Sequence, residues 1–248
     1  MSHNTHSILT MLPYPLLDAS EQSEAEQIAQ LSRRIVPVRK PEPYIRENEV
    51  NRSLNHQCLE EMIDIGSLDL QPEETSALVA DLNLNHLVGT FFVQNTVSVT
   101  PRHRFIALGA SVPEVARQAG RFSRTTAGWA WGFNPLPEEL HMDFDRLKRP
   151  NQEILKRHGL TVHQVHLHPL EGAQYHETTC TTPLKTVVDL IVHHENLALD
   201  YLPTTLSDAP YGCTPESIIS YIQETPYVRN KDRAVDIVKV VEALSRIR

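Results

Sequence analysis

The stretch that best indicates the fold is Thr181-Thr182-Pro183-Leu184-Lys185-Thr186-Val187-Val188-Asp189-Leu190-Ile191. It predicts the start of a helix, because threonine is a good N-cap and proline suits the first helical turn, where its missing N–H costs nothing. The apolar residues of the stretch then recur at helical spacing on one face. Lys185 and Asp189 are one turn apart and can form an ion pair.

Working outward from this helix, the remaining pattern predicts a mixed α+β body in which several helices pack on a small sheet. Alternating or β-branched runs predict strands at residues 87–93, 140–144, 160–167 and 175–180, with Gly89 marking a bulge or turn. Helices are predicted at residues 101–108, 113–117, 124–130, 195–202, 215–222 and 232–247, and buried positions at Ile218 and Ile219.

The predicted domain organisation has three parts. Residues 1–55 are rich in proline and are expected to form a flexible or partly helical arm, with one amphipathic helix from Ser20 to Arg34. Residues 56–100 are expected to form a small, degenerate winged-helix-like segment, beginning with helical spacing of Leu54, Cys58, Met62 and Ile65. Residues 101–248 are expected to form the α+β body with a long C-terminal helix.

The net charge of −8 is unevenly distributed along the 248 residues. Residues 1–99 carry 6 Lys+Arg against 14 Asp+Glu, whereas residues 100–158 carry 10 against 6. Overall acidity argues against tight non-specific binding to nucleic acid, whose affinity comes from neutralising phosphates. Three dispersed cysteines, no secretory signal and no long apolar run together predict a reduced, cytoplasmic protein without a membrane partner.

The sequence suggests two kinds of metal site. Asp143 and Asp145 share one strand face, as do the carboxylates that hold divalent ions in nucleases and nucleotidyl transferases, although the basic residues that follow could neutralise them instead. His163, His166 and His168, with Glu171 and His176 nearby, could ligate a transition metal or be polar residues of a surface strand. His193 and His194 are better explained by a helix C-terminus.

The basic middle of the chain offers a contact surface for nucleic acid or a partner protein. Its main candidates are Arg102, Arg104, Arg121 and Arg124, on short predicted helices, because arginines near helix N-termini suit phosphate groups. A solvated face paired with the acidic N-terminal region is an equally good explanation. Trp129 and Trp131 are expected to pack in the core.

Motifs for cofactor or nucleophile chemistry are missing from the sequence. It contains no Gly-x-Ser-x-Gly elbow, no phosphate loop and no dinucleotide fingerprint, and its nine glycines are not clustered. We therefore expect no cofactor and no enzymatic activity.

Four stretches in order resemble the AbiEi-type antitoxin family of type IV toxin–antitoxin systems, in particular its actinobacterial members. They are Ser123–Gly132 (SRTTAGWAWG), Pro137–Met142 (PEELHM), Gly159–His163 (GLTVH) and Cys180–Leu190 (CTTPLKTVVDL). The last stretch is the most specific, and Thr182, Pro183, Lys185 and Asp189 carry its pattern, with Lys185 where the family has arginine.

The resemblance implies a transcriptional regulator and antitoxin of phage-defence operons. Such a protein would act by binding an operator DNA, a nucleotidyltransferase-like toxin, or both, and it would have no catalytic residue. The alternative is a metal-dependent nuclease or nucleotidyl transferase that uses Asp143 and Asp145.

Overall fold

The computed structural model describes residues 56–146, 155, 158–175 and 177–247. The predicted arm at residues 1–55, including the helix from Ser20 to Arg34, lies outside the described residues. What is described is an α+β protein, as predicted, and it contains two sheets rather than the single small sheet expected.

The first sheet belongs to residues 56–100, for which we keep the name winged-helix-like segment from the sequence prediction. Residues 56–61 are helical and lead into β1 (Met62–Asp64), a 3₁₀ turn (Ile65–Leu68) and α1 (Pro72–Asp81). A hairpin of β2 (Leu84–Val88) and β3 (Phe91–Gln94) follows, and the sheet order is β1-β3-β2, all antiparallel.

Two predictions in this segment were wrong. Residues 87–93 do not form one strand but span the hairpin turn, because Gly89 has a φ of 57° that reverses the chain. Of the helix predicted from Leu54 to Ile65, residues 56–61 are helical and Leu54 lies outside the described residues, but the helix ends before Met62, which pairs with Val93 in the sheet. Backbone pairing with β3 therefore overrides the local helical pattern.

The second sheet lies in the body and has the order β6-β5-β4-β8-β7. In chain order its strands are β4 (Gly120–Phe122), β5 (Leu140–Asp145), β6 (Leu160–Val165), β7 (Gly172–Tyr175) and β8 (Thr178–Thr181). The pairs β5–β6 and β4–β8 are parallel, and the other two pairs are antiparallel. The predicted single strand at residues 175–180 is wrong, because this stretch contains the turn of the β7–β8 hairpin.

The predicted helices of the body are confirmed, and their ends differ from the prediction by a few residues. They are α2 (Pro101–Ser111), α3 (Glu114–Ala119), α4 (Arg124–Trp131), α5 (Pro183–His193), α6 (Glu195–Thr205), α7 (Pro215–Glu224) and α8 (Lys231–Ser245). Gly132 ends α4 with a φ of 87°, a left-handed conformation that glycine adopts without strain.

The core of the body forms where α4 and α5 meet the second sheet. Val187, Val188 and Ile191 of α5 are buried, as the apolar face predicts. Trp129 and Trp131 are also buried, and the indole N–H of Trp131 donates to the Thr181 carbonyl over 2.8 Å. In α7 the second buried isoleucine is not Ile219, which is only half-buried; it is Ile222, one helical turn after Ile218.

Candidate functional site

The helix start at Thr182 forms as predicted. The Thr182 hydroxyl accepts a hydrogen bond from the Lys185 backbone N–H over 3.4 Å, and Pro183 occupies the first turn. Lys185 and Asp189 form an ion pair with an Nζ–Oδ1 distance of 2.5 Å, and both side chains are largely buried. These four motif residues therefore hold α5 in place and do not form an exposed surface.

Arg121 is not part of a contact surface, contrary to the prediction. Only 4% of Arg121 is exposed, because β4 directs it into the protein beside two carboxylates. Its guanidinium lies 3.8 Å from Asp143 and 3.2 Å from Glu171, and it also donates to the His168 carbonyl. A buried arginine requires such partners, since an unpaired buried charge is very costly.

Glu171 extends these contacts into a buried polar network. It accepts hydrogen bonds from the hydroxyl of Tyr221, at 2.5 Å, and from that of Tyr227. Lys185 in turn lies over the Tyr227 ring, with 5.9 Å from its Nζ to the ring centroid. Burial, followed by the charge of Glu171, strongly raises the pKa of the Tyr221 phenol. The network therefore joins β4 to α7 and, through the contact of Lys185 with Tyr227, to α5, although Arg121 Nε has no hydrogen-bond partner among the described groups.

Asp143 and Asp145, the predicted metal-binding pair, lie side by side on one face of β5. Asp143 is buried next to Arg121, and burial, followed by the charge of Asp189, raises its pKa. Asp189 is itself paired with Lys185. Neither Asp143 nor Asp145 belongs to a group of three metal-ligating side chains within the described ranges. Asp143 therefore already has a cation of the protein, Arg121, as its partner.

One group of three potential ligands in the described residues, Cys58, Glu61 and His103, was missed by sequence reasoning. The Cys58 sulfur lies 4.0 Å from His103 Nδ1, and His103 Nε2 lies 2.8 Å from Glu61. Both imidazole nitrogens already have partners, because Nδ1 accepts from the Thr100 backbone N–H. His103 therefore caps the start of α2 and links it to the winged-helix-like segment.

Within the described residues, the strand histidines do not belong to a group of three potential metal ligands. Only His163 lies within β6, and His166 and His168 follow the end of the strand. His168 instead accepts from the Leu170 backbone N–H, and His176 lies outside the described residues.

The three other candidate arginines have different surroundings. Arg102 lies over the Tyr175 ring at 5.2 Å, and Arg104 donates to the Trp129 carbonyl over 2.8 Å. Burial lowers the pKa of Arg104. Arg124 lies at the start of α4 among histidines that come from β5, β6 and α5. All three are half-buried and keep part of their surface accessible to a ligand.

All charged Asp, Glu, Lys and Arg residues of the winged-helix-like segment are acidic, which the charge counts over residues 1–99 do not show. Residues 56–100 contain seven Asp and Glu and no Lys or Arg. In α1 no residue is buried, and Glu73, Glu74 and Asp81 are exposed. We call these three carboxylates the acidic face.

Large apolar side chains are exposed in the same segment. Leu59, Leu68 and Leu82 are 45%, 50% and 47% exposed, respectively. Leu68 and Leu82 flank α1 at its two ends, so apolar and acidic groups are close together along this helix. A contiguous apolar patch rimmed by polar residues is one mark of a protein–protein contact.

Comparison with known proteins assigns no family to this chain. No family model matches it, and no curated protein does. Among solved structures, it is similar to the RV2827C protein from Mycobacterium tuberculosis at 13% identity, over 80% of each chain, with a TM-score of 0.37. This similarity is too distant to indicate a function. Of the helices described, none has the length and apolarity that crossing a membrane requires.

Proposed function

We propose that this protein is a cytoplasmic, non-enzymatic regulator of the AbiEi antitoxin type that acts by binding a basic partner protein through its winged-helix-like segment. The observation that supports this most is the charge of residues 56–100, seven acids without a single Lys or Arg. The partner expected from the family resemblance is a nucleotidyltransferase-like toxin.

The same charge argues against DNA as the ligand of this segment. Helix-turn-helix proteins place one helix in the major groove, and their affinity depends on cations that neutralise phosphates. The one numbered helix of this segment, α1, carries Glu73, Glu74 and Asp81 and contains no Lys or Arg. Carboxylates at these positions would repel a phosphate backbone and attract Lys and Arg of a protein.

The exposed leucines support a protein partner further. Leu68 and Leu82 would be buried in a contact with α1, and each would then contribute apolar area, whereas DNA offers little apolar surface to its ligands. Acidic residues around such apolar contacts would steer the partner and raise the association rate at low salt.

Binding of an operator DNA stays a separate prediction, and it concerns the body. Arg102, Arg104 and Arg124 remain accessible for it, whereas Arg121 does not. A mobility-shift assay with the promoter DNA of its own operon tests this prediction. The prediction of DNA binding is supported if the shift weakens as salt rises and weakens also when all three arginines are changed to glutamine. It is contradicted if no salt-sensitive shift is seen.

The partner-protein proposal is tested by neutralising the acidic face in the 248-residue chain. The variant Glu73→Gln, Glu74→Gln, Asp81→Asn keeps the shapes of the side chains, and a glutamine at position 74 can still form the capping box of α1. Wild-type and variant proteins would be used side by side to capture a nucleotidyltransferase-like protein from the organism that encodes this chain. We expect capture by the wild type and its loss in the variant.

A matched control carries the same charge change on the body. Asp200→Asn, Asp236→Asn and Glu224→Gln neutralise three other carboxylates at exposed sites of α6, α7 and α8. This control should capture the partner as well as the wild type does. Equal loss in both variants would mean that net charge alone matters, and it would contradict a role for the acidic face.

A further inference from the structure

Four histidines gather where β5, β6 and the end of α5 meet, and we call them the histidine cluster: His141, His163, His193 and His194. His141 Nδ1 and His163 Nε2 are 3.0 Å apart, and their rings stack at 5.2 Å. The His194 ring approaches His141 edge-on at 5.7 Å. Nε2 of His194 is buried without a hydrogen-bond partner among the described groups.

Arg124 lies against this cluster and has an unusual backbone. Its φ of 51° is in the left-handed region, which is strained for a non-glycine residue, and such strained positions are concentrated at functional sites. The Arg124 guanidinium has neither an ion pair nor a hydrogen bond with the rest of the described structure. Burial lowers the pKa of all four histidines, and the charge of Arg124 lowers it further.

Other charged groups that face the cluster are already engaged. Glu139 faces His141 and accepts a hydrogen bond from Thr161 over 2.5 Å. Asp189 faces the two histidines at the end of α5 and is held by Lys185. Among the described residues, no carboxylate is therefore left to pair with the Arg124 guanidinium. Most histidines of the cluster are nevertheless half-buried.

We propose that Arg124 and the histidine cluster bind a phosphate group, with Arg124 as the permanent cation and the histidines as donors that take up protons when the anion binds. Arg is well suited to this role because its planar group can donate two parallel hydrogen bonds to a phosphate. Each neutral histidine beside Arg124 can take up a proton and so add a further positive charge. This inference does not rest on the proposed partner-protein function.

A metal ion is the other occupant that a histidine cluster suggests, and the geometry does not favour it. Among the described side chains, the ligand atoms of the four histidines do not form a group of three within reach of one ion. The guanidinium of Arg124 would also repel a metal cation, whereas it would attract an anion.

The site is best tested with Arg124→Gly in the 248-residue chain. Glycine adopts a positive φ freely, so this variant should fold at least as stably as the wild type while the cation is removed. Isothermal titration with inorganic phosphate at pH 6 and pH 8 would measure binding. We expect tighter binding to the wild type at pH 6, and binding at least about tenfold weaker to the variant.

Further experiments show whether the binding is specific to this site and which phosphate-bearing ligand it takes. Arg117→Gln changes an arginine that is paired with Glu177 outside the cluster, and phosphate binding should be unaffected. A short oligonucleotide with a 5′-phosphate, compared with the same oligonucleotide without it, distinguishes a nucleic-acid terminus from free phosphate as the source. Addition of phosphate should also shift the imidazole NMR signals of His141 and His163 more than an equal ionic strength of chloride.

The proposal would be overturned by phosphate binding that is equal in wild type and Arg124→Gly, or that does not change between pH 6 and pH 8. Absence of phosphate-specific NMR shifts at His141 and His163 would overturn it as well. If both oligonucleotides fail to bind while phosphate binds, the phosphate site stands with a small anion as its ligand.

Discussion

Arg121 and Arg124 are three residues apart, and the structure gives them opposite surroundings. Arg121 is buried between Asp143 and Glu171, whereas Arg124 lies half-buried beside histidines and has no carboxylate of its own among the described residues. Sequence reasoning placed both on one contact surface. It could not separate them, because the carboxylates that hold Arg121 are 22 and 50 positions further along the chain.

The ion pairs of Arg121 predict a large effect of its removal. Arg121→Met would leave Asp143 and Glu171 buried without their cation, so we expect a loss of roughly 3–5 kcal/mol in the free energy of unfolding. Urea denaturation measures it. Arg233→Met, which breaks the exposed pair of Arg233 with Glu195, is the control and should cost less than about 1 kcal/mol. Similar losses in both variants would contradict the role given to Arg121.

The burial of His163 predicts a dependence of stability on pH. Burial, followed by the charge of Arg124, lowers the pKa of His163 from 6.5 to about 4 in the folded state. The unfolded chain therefore takes up a proton more readily, so the contribution of His163 to stability is complete above pH 6.5 and is lost as the pH falls towards 4.

Unfolding by urea at several pH values between 7 and 4 tests this dependence. The wild type should lose more stability over this range than His163→Gln, which carries no titrating group at this site. Parallel curves for the two proteins would show that His163 is not the group responsible.

At the scale of elements, helix starts were the best predicted features. Three helices of the body begin with a Thr-Pro pair, at Thr100-Pro101, Thr182-Pro183 and Thr214-Pro215. The threonine cap and the proline contact only backbone groups of the first helical turn. A local sequence pattern is therefore enough to locate the start of the helix.

Short strands were predicted poorly for the opposite reason. The three residues of β4 become a strand only because Phe122 pairs with Met142 on one side and Cys180 on the other. Both hairpins, β2–β3 and β7–β8, were taken for single strands, since their turns are only a few residues long. Pairing between distant segments determines these elements, and it leaves little trace in the local sequence.

The cap of α5 leads to a prediction for this element. Thr182→Ala removes the acceptor for the Lys185 N–H, and we expect a cost of about 1 kcal/mol in the free energy of unfolding. Thr182→Ser keeps a hydroxyl in the same place and should restore most of that loss. If serine is no better than alanine in thermal or urea unfolding, the cap does not stabilise α5.

At the scale of the whole molecule, the sequence showed an acidic N-terminal region and a basic middle, but not how these charges are used. In the structure, part of the basic middle neutralises buried carboxylates, and residues 56–100 present acidic groups on a small sheet-and-helix unit. The α+β class was predictable from composition and periodicity. The candidate sites depend on which side chains meet in space, and only the structure shows that.

Because the acidic face is exposed, its function should be separable from stability. Glu73→Gln, Glu74→Gln, Asp81→Asn should change the free energy of unfolding by less than about 0.5 kcal/mol for each substitution. Urea unfolding of this variant beside the wild type is the measurement. A large loss would show that these carboxylates hold the segment together and are not free to contact a partner.

The central claim is that the acidic face binds a basic protein. Its most direct test is isothermal titration of the 248-residue chain with a nucleotidyltransferase-like protein, the class of partner proposed above, at low and high salt. We predict binding that weakens as salt rises and becomes at least about tenfold weaker when the acidic face is neutralised. Absence of binding, or equal affinity for wild type and variant, would contradict the claim.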